Sequence, residues 1–456
     1  MNEARSAALE LFYNNTPFNG DIGADVESFT CVDQAADSSD SVSITINARD
    51  DKWLRGWMPA KGATLKAAIT GKNWDRAGDT KRLDCGLFIL DEISYSDTPT
   101  ALQMSGVSKP ADTNFSELER EQIWKNTSIR RIGEDIAGRY GLGFRFDAED
   151  YDIECREQDA TDSSFYNELC KNYGLVMKAY SGALWVYDRE AYKSKRAVMD
   201  FDREQITRGS LSYSDKLDGT YTGGDFNYTD PDKDIDITAS IGGGTHTKSV
   251  NRQASSVYDA SVQLCADLNN ANHGTIQLQF SVPGCWGVAA GNNIRLTGYG
   301  EGYTGGINGK YFVDKVTHKF TRSAGFTTTF ECSGIRDPFR HWECGGQIIL
   351  HEKEEGGGEV YTSSYETTSP AASAASSAAA AKTGAAAGAA VTLSNAPFYY
   401  TSVAANPSCY KSGTFYFYDG ILVAGRYRIT NLESRCGKLP VGQNVTGWVP
   451  ASYCTG

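Results

Sequence analysis

The chain has 456 residues, roughly three times an average domain of about 150, which excludes a single small module and predicts about three domains. Hydrophobic residues at 40% and charged residues at 22% give a globular balance, and no apolar run nears the ~18 residues that span a bilayer, so a soluble chain with no membrane span is expected. A net charge of −13 argues against specific nucleic-acid binding.

At the N-terminus, Glu3 and Glu10 interrupt the apolar core that a signal peptide needs, so cytoplasmic synthesis is expected. From Val26 to Val107, short β-prone runs such as Val42-Ser-Ile-Thr-Ile46 and Gly86-Leu-Phe-Ile-Leu90 alternate with Gly, Asp and Asn, which predicts an antiparallel barrel or sandwich over residues 1–111. Trp53-Leu-Arg-Gly-Trp57-Met-Pro59 lies within it.

At Ser128 the period changes. Ile129, Ile132, Ile136 and Tyr140 predict an amphipathic helix capped by Ser128 and stopped by Gly141. A second helix follows from Asp162 to Tyr173, and each ends in Tyr-Gly-Leu before strands: Gly143–Phe146 after the first, Val176–Tyr180 and Ala183–Tyr187 after the second. Residues 112–198 therefore read as an α/β insertion with duplicated helix-strand units. Over residues 199–345 β-signals return, including Thr275–Phe280, Asn293–Leu296, Lys310–His318 and Phe326–Phe330, with one helix near Ser255–Asn269, and predict a second barrel.

Ser369 to Ala390 holds 13 alanines in 22 residues and cannot build a core, so residues 346–394 read as a flexible Gly/Ala/Ser-rich linker. Residues 395–456 follow as a small module with strands at Thr414–Gly420, Gly425–Thr430 and Gly447–Pro450. From Ala396 onward there are five basic and two acidic residues, against 39 basic and 55 acidic before it, so an acidic body carries a basic appendage.

Several patterns imitate chemistry. Gly300-Glu-Gly302-Tyr-Thr-Gly305 has the dinucleotide-binding spacing, but a β-run follows where a helix is required, so a hairpin loop is expected. Asp230-Pro-Asp232-Lys-Asp234-Ile-Asp236 starts like a calcium loop, yet Ile235 and Ile241 occupy the sixth and twelfth places, so an exposed acidic loop is expected. The five histidines and eleven cysteines show neither metal-ligand nor nucleophile-elbow spacing. No catalytic residue, metal or cofactor is assigned. Reduced, mostly buried thiols are expected, with a pairing among Cys409, Cys436 and Cys454 left open. Arg120, Lys125, Arg130, Arg131 and Arg139 read as a solvated helix face or a docking face for an acidic neighbour.

Ile123-Trp124-Lys-Asn-Thr-Ser128-Ile-Arg-Arg-Ile132, Gln158-Asp-Ala-Thr-Asp162-Ser-Ser-Phe165, and Gly309–His318 with Gly325–Thr329 together resemble the phage late control protein D family, the baseplate hub of contractile tails, related to the hub part of type VI spike proteins. The resemblance covers about residues 1–345. It implies two tube-type antiparallel β-barrels flanking an α/β insert, and a homotrimer adapting a six-fold tail tube to a three-fold spike. Implied partners are the tube protein, the spike or tip protein and other baseplate proteins, within a virion or contractile injection particle. Gly447-Trp448-Val-Pro450 resembles bacterial SH3-like domains, which implies attachment to the baseplate or the bacterial cell wall. Phe415, Phe417 and Ile429 are expected in its core, leaving Tyr416, Tyr418, Trp448 and Tyr453 as candidate ligand contacts. The alternative is a secreted or tail-tip cell-wall hydrolase with a wall-binding SH3-like domain.

Overall fold

The computed structural model describes residues 4–17, 25–36, 39–49, 53, 56, 58–98, 100–110, 112–217, 219–231, 233–300, 306–350, 362–365, 388–399, 409–423, 425–436 and 445–454. The chain divides into two compact units, Met1–Ser369 and Pro370–Gly456.

The first unit opens with β1 (Ser6–Tyr13), β2 (Thr16–Pro17), β3 (Val26–Gln34), β4 (Ser41–Asn47), β5 (Thr64–Lys72), β6 (Thr80–Asp97) and β7 (Thr100–Val107). Alternation works as expected on β4, where Val42, Ile44 and Ile46 are buried while Ser43 and Thr45 face the other way. The 18-residue β6 pairs with β5 through Ile89 and with β7 from Ile89 onward, shifting register between Leu90 and Glu92. One bent strand thus serves both halves of a curled sheet. Phe29, Ile44, Trp53, Leu65, Ile69, Phe88 and Leu102 fill its core; Trp57 lies outside the described residues.

Next come α1 (Asn114–Glu117), β8 (Gln122–Ser128), α2 (Ile129–Arg139), β9 (Gly143–Asp147), β10 (Asp152–Gln158), α3 (Asp162–Asn172), β11 (Leu175–Tyr180), β12 (Ala183–Asp188) and α4 (Arg189–Ser194). The two long helices begin and end alike. Ser128 Oγ accepts from the Arg131 amide and Thr161 Oγ1 from the Ser164 amide, while Gly141 and Gly174 carry φ of +63° and +72° at the exits. The strands depart from simple duplication: β9 joins the β11–β12 hairpin in one three-stranded sheet, and β8 pairs with β10. Ile129, Ile132 and Ile136 are fully buried against Tyr166, Leu169 and Leu184.

The remainder of the unit contains β13 (Met199–Asp202), β14 (Ser212–Asp215), β15 (Gly223–Asp230), β16 (Ile235–Gly242), β17 (Thr247–Val250), α5 (Val257–Asn272), β18 (Ile276–Pro283), β19 (Asn293–Thr297), β20 (Gly309–Thr321), β21 (Gly325–Gly334), β22 (Gly345–Leu350) and β23 (Thr362–Tyr365). The two β-regions are not separate bodies. Lys315 to Thr321 of β20 pair antiparallel with Gln34 to Ser28 of β3, giving a 13-stranded sheet whose main path runs β14-β18-β21-β20-β3-β4-β7-β6-β5-β1-β2. Phe326 of β21 enters the first core, and Trp74 Nε1 donates to the Gly284 carbonyl at 3.0 Å.

Residues 223–250 leave the second β-region and form a five-stranded sheet, β17-β15-β16-β22-β23, with α5 packed on it through Ala260, Leu264 and Leu268. Its β22 falls where the linker was expected to begin. Gly346 permits this approach, since a Cβ there would lie 2.5 Å from Val257 Cγ1 and 2.6 Å from the Thr238 carbonyl oxygen. The acidic run falls at the β15–β16 connection, where Asp232 lies outside the described residues and Lys233 Nζ reaches Glu154 at 2.9 Å. In the Gly300–Gly305 run, residues 301–305 lie outside the described residues, between β19 and β20.

The second unit contains β24 (Ala390–Phe398), β25 (Cys409–Val423), β26 (Arg426–Thr430) and β27 (Gly447–Pro450), paired in that order. Its first strand starts at Ala390, ahead of the expected boundary at 395, because Val391 and Leu393 alternate into the core with Phe398, Phe415, Phe417, Ile429 and Val449. Most of the Ala/Ser/Gly stretch, residues 366–387, lies outside the described residues. Cys436 and Cys454 are free thiols, and the side chain of Cys409 lies outside the described residues. Among the described residues, no helix is long and apolar enough to cross a membrane.

Candidate functional site

In the first unit a cleft of about 300 Å³ opens where β3, β6, β11, β12 and the 288–291 loop meet. Its polar centre is Lys178. This side chain arrives from β11 and pairs with Asp33 at 2.5 Å and Asp40 at 3.1 Å. The carboxylates are themselves fixed by backbone donors: the Ala290 amide donates to Asp33 and the Gln34 amide to Asp40, both at 2.8 Å. Burial opposes charge on Lys178, but the two carboxylates outweigh it and raise its pKa. Burial pushes the Asp40 carboxyl up to about 6, against the pull of Lys178. Tyr180, Trp185 and Tyr187 supply aromatic walls, and the Tyr187 hydroxyl donates to the Ala35 carbonyl at 2.7 Å.

Burial also holds two further groups here, Cys31 and His318, in their neutral forms. Cys31 is hydrogen-bonded to Cys85 and buried, which lifts its thiol well above the usual range. His318 is 3% exposed, contacts Thr328 Oγ1 at 3.1 Å, and burial depresses it to about 4. The cleft therefore presents a lysine held charged and a neutral histidine at pH 7. That chemistry suits a buried ionic tie between β3 and β11.

Two of the five basic residues around the first insertion helix also turn inward. Asp162, 0% exposed, accepts from Arg120 Nε at 3.0 Å, Arg139 at 3.0 Å, the Tyr140 hydroxyl at 2.7 Å and Gln158 Nε2 at 2.7 Å. Burial alone would raise its pKa, but these donors more than reverse that and lower it. Arg120 and Arg139 are thus committed within the chain, while Arg130 lies over the Phe146 ring at 5.2 Å.

On the second unit the candidate contacts separate. Trp448 of β27 is half-buried and opposes Arg428, whose guanidinium sits 4.9 Å over its ring and donates to Asp419 at 2.6 Å. On its other side Trp448 exchanges two backbone hydrogen bonds of 2.9 Å with Tyr399, itself covered by Arg426 at 3.5 Å. This pairing closes the four strands into a small barrel and forms an outer row of Tyr399, Trp448 and Arg428. Tyr453 is 44% exposed and Tyr416 half-buried. Tyr418, expected on the outside, is 3% exposed and lies in the interior. Tyr399 was missed because its role depends on a partner 49 positions away in sequence, although the alternation through Phe398 already turned it outward.

No protein-family model matches this chain, and no curated protein matches it in sequence. Among solved structures, it resembles the tail protein from Neisseria meningitidis MC58 at 14% identity, covering 72% of this chain and 97% of that one, with a TM-score of 0.53. It also resembles the prophage MuSo2 43 kDa tail protein from Shewanella oneidensis at 9% identity, covering 72% and 98%, with a TM-score of 0.54. Over that 72% the fold is that of these tail proteins. It is mainly β, as expected, and the likeness runs over nearly their entire lengths.

Proposed function

We propose that this protein is a structural component of a phage tail or phage-tail-like particle, and within it a homotrimeric baseplate hub that joins a six-fold tube to a three-fold spike. The shared fold with two tail proteins over 97% and 98% of their lengths carries the reading. The β3–β20 seam supports it, because it sets two β-regions side by side in one wall, as a ring with two contributions per subunit requires. A scaffolding role also accords with the cleft, where Lys178 is held in ion pairs and is not a free amine nucleophile. Partners on this reading are the tube, the spike and other baseplate proteins. The C-terminal barrel serves as an SH3-like attachment domain for the baseplate or the cell wall, supported by its basic balance and its outer Trp–Arg–Tyr row.

Mass measurement of the purified protein, alone and with its spike, tests this directly. A three-subunit species is expected, and a monomer under both conditions overturns the hub assignment.

A further inference from the structure

Two thiols meet where α5 packs on its sheet. Cys265 lies in the third turn of the helix, and Cys344 immediately precedes β22. Their Sγ atoms are 3.5 Å apart across 79 positions of sequence, neither is in a disulfide, and they are 5% and 2% exposed. Closing that gap to a bonded sulfur distance needs a movement of roughly 1.5 Å, within the range of small χ1 adjustments.

We propose that Cys265 and Cys344 are a redox pair that forms a disulfide when the protein meets a low-molecular-weight disulfide oxidant, covalently fastening the start of β22 to α5. The surroundings support reactivity. The two sulfurs share one hydrogen bond, which holds the Cys344 thiol below its usual range and the Cys265 thiol above it, so a proton lost from the pair leaves Cys344 first. Cys265 also lines a cleft of about 170 Å³ with Val262, Ala266, Asn269 and His341, giving a small oxidant a route to that residue. One protein thiolate attacks a sulfur of the oxidant, forming a mixed disulfide and expelling one thiolate. The second cysteine, losing its proton, attacks the protein sulfur of that mixed disulfide and expels the other. The protein gives up two electrons and two protons, and the oxidant leaves as two thiols.

The location gives the bond a purpose. β22 and β23 are the last described strands of the first unit, and β22 is bound to the unit through β16 and its packing beneath α5. A staple at Cys344 would hold this exit strand under load. The pair stays reduced in the cytoplasm and closes after release into an oxidising exterior. The proposal depends on the core of this unit and not on the tail assignment.

The test uses the full chain treated with oxidised glutathione, then denatured, alkylated and mapped by mass spectrometry beside a dithiothreitol-reduced control. The expected result is a Cys265–Cys344 linked peptide, two hydrogens lighter than its parts and abolished by reduction, with a reversible rise of a few degrees in melting temperature. Cys265→Ser and Cys344→Ser should each remove both signals. If one variant fails to fold, the wild-type peptide map still decides. Both cysteines remaining alkylatable after oxidation, or carrying only glutathione adducts, would overturn the proposal.

Discussion

Arg139, the last residue of α2, donates to both carboxylate oxygens of Asp162, the first residue of α3, at 3.0 and 3.2 Å. The end of one helix is thereby tied to the start of its duplicate by a carboxylate with no exposure to solvent. Replacing Asp162 with Asn leaves two guanidinium groups without their counter-ion, and because both arginines are partly exposed the cost should be about 2–3 kcal/mol. The folded pKa is lowered, so this contribution is present above the unfolded carboxyl value near 4 and fades as pH falls through the lower folded value. Acid titration of unfolding should show that loss in the wild type and not in Asp162→Asn.

Asp40 titrates with the opposite sign. Its folded pKa of about 6 lies above the unfolded value near 4, so the native state binds the extra proton between them. Stability from this group is present below about pH 4 and is lost as pH rises through about 6, on the order of 3 kcal/mol in all. Asp40→Asn should flatten the unfolding free energy across that window. An unchanged slope would show that another group controls it.

Two glycines on α2 should respond in opposite directions to the same change. A methyl at Gly133 would overlap the Tyr166 hydroxyl and the Phe144 ring, so Gly133→Ala should destabilise by about 1–3 kcal/mol despite alanine's helix preference. Gly138 has nothing within 4 Å of its would-be Cβ, and Gly138→Ala should stabilise by about 0.5–1 kcal/mol. Denaturant unfolding of the two variants gives the comparison.

Adjacent residues of β27 separate binding from folding. Val449 is 0% exposed in the barrel core, so Val449→Ala should cost the second unit about 2 kcal/mol. Trp448 faces outward beside Arg428, so Trp448→Ala in the full chain should leave the barrel folded and weaken attachment to cell walls or baseplate by more than about tenfold. Attachment should also fall as salt rises, since the face is basic. Unchanged binding, or unfolding by Trp448→Ala, would make the row structural.

What the sequence determined by itself was local. The period of Ile129, Ile132 and Ile136, the Ser128 cap and the Gly141 stop fix α2, because helix capping and amphipathicity act within a few residues. Alternation likewise fixed β4 and the core positions Phe415, Phe417 and Ile429. Tertiary structure decided which elements meet. No local signal joins β3 to β20 across nearly 300 residues, or carries β22 from an expected linker into a sheet with β16. The same is true of Lys178 finding Asp33, Arg120 and Arg139 turning in to Asp162, and Cys265 meeting Cys344: each charge or thiol is legible in the sequence, but its partner is set by packing and desolvation, which exist only once the chain has folded.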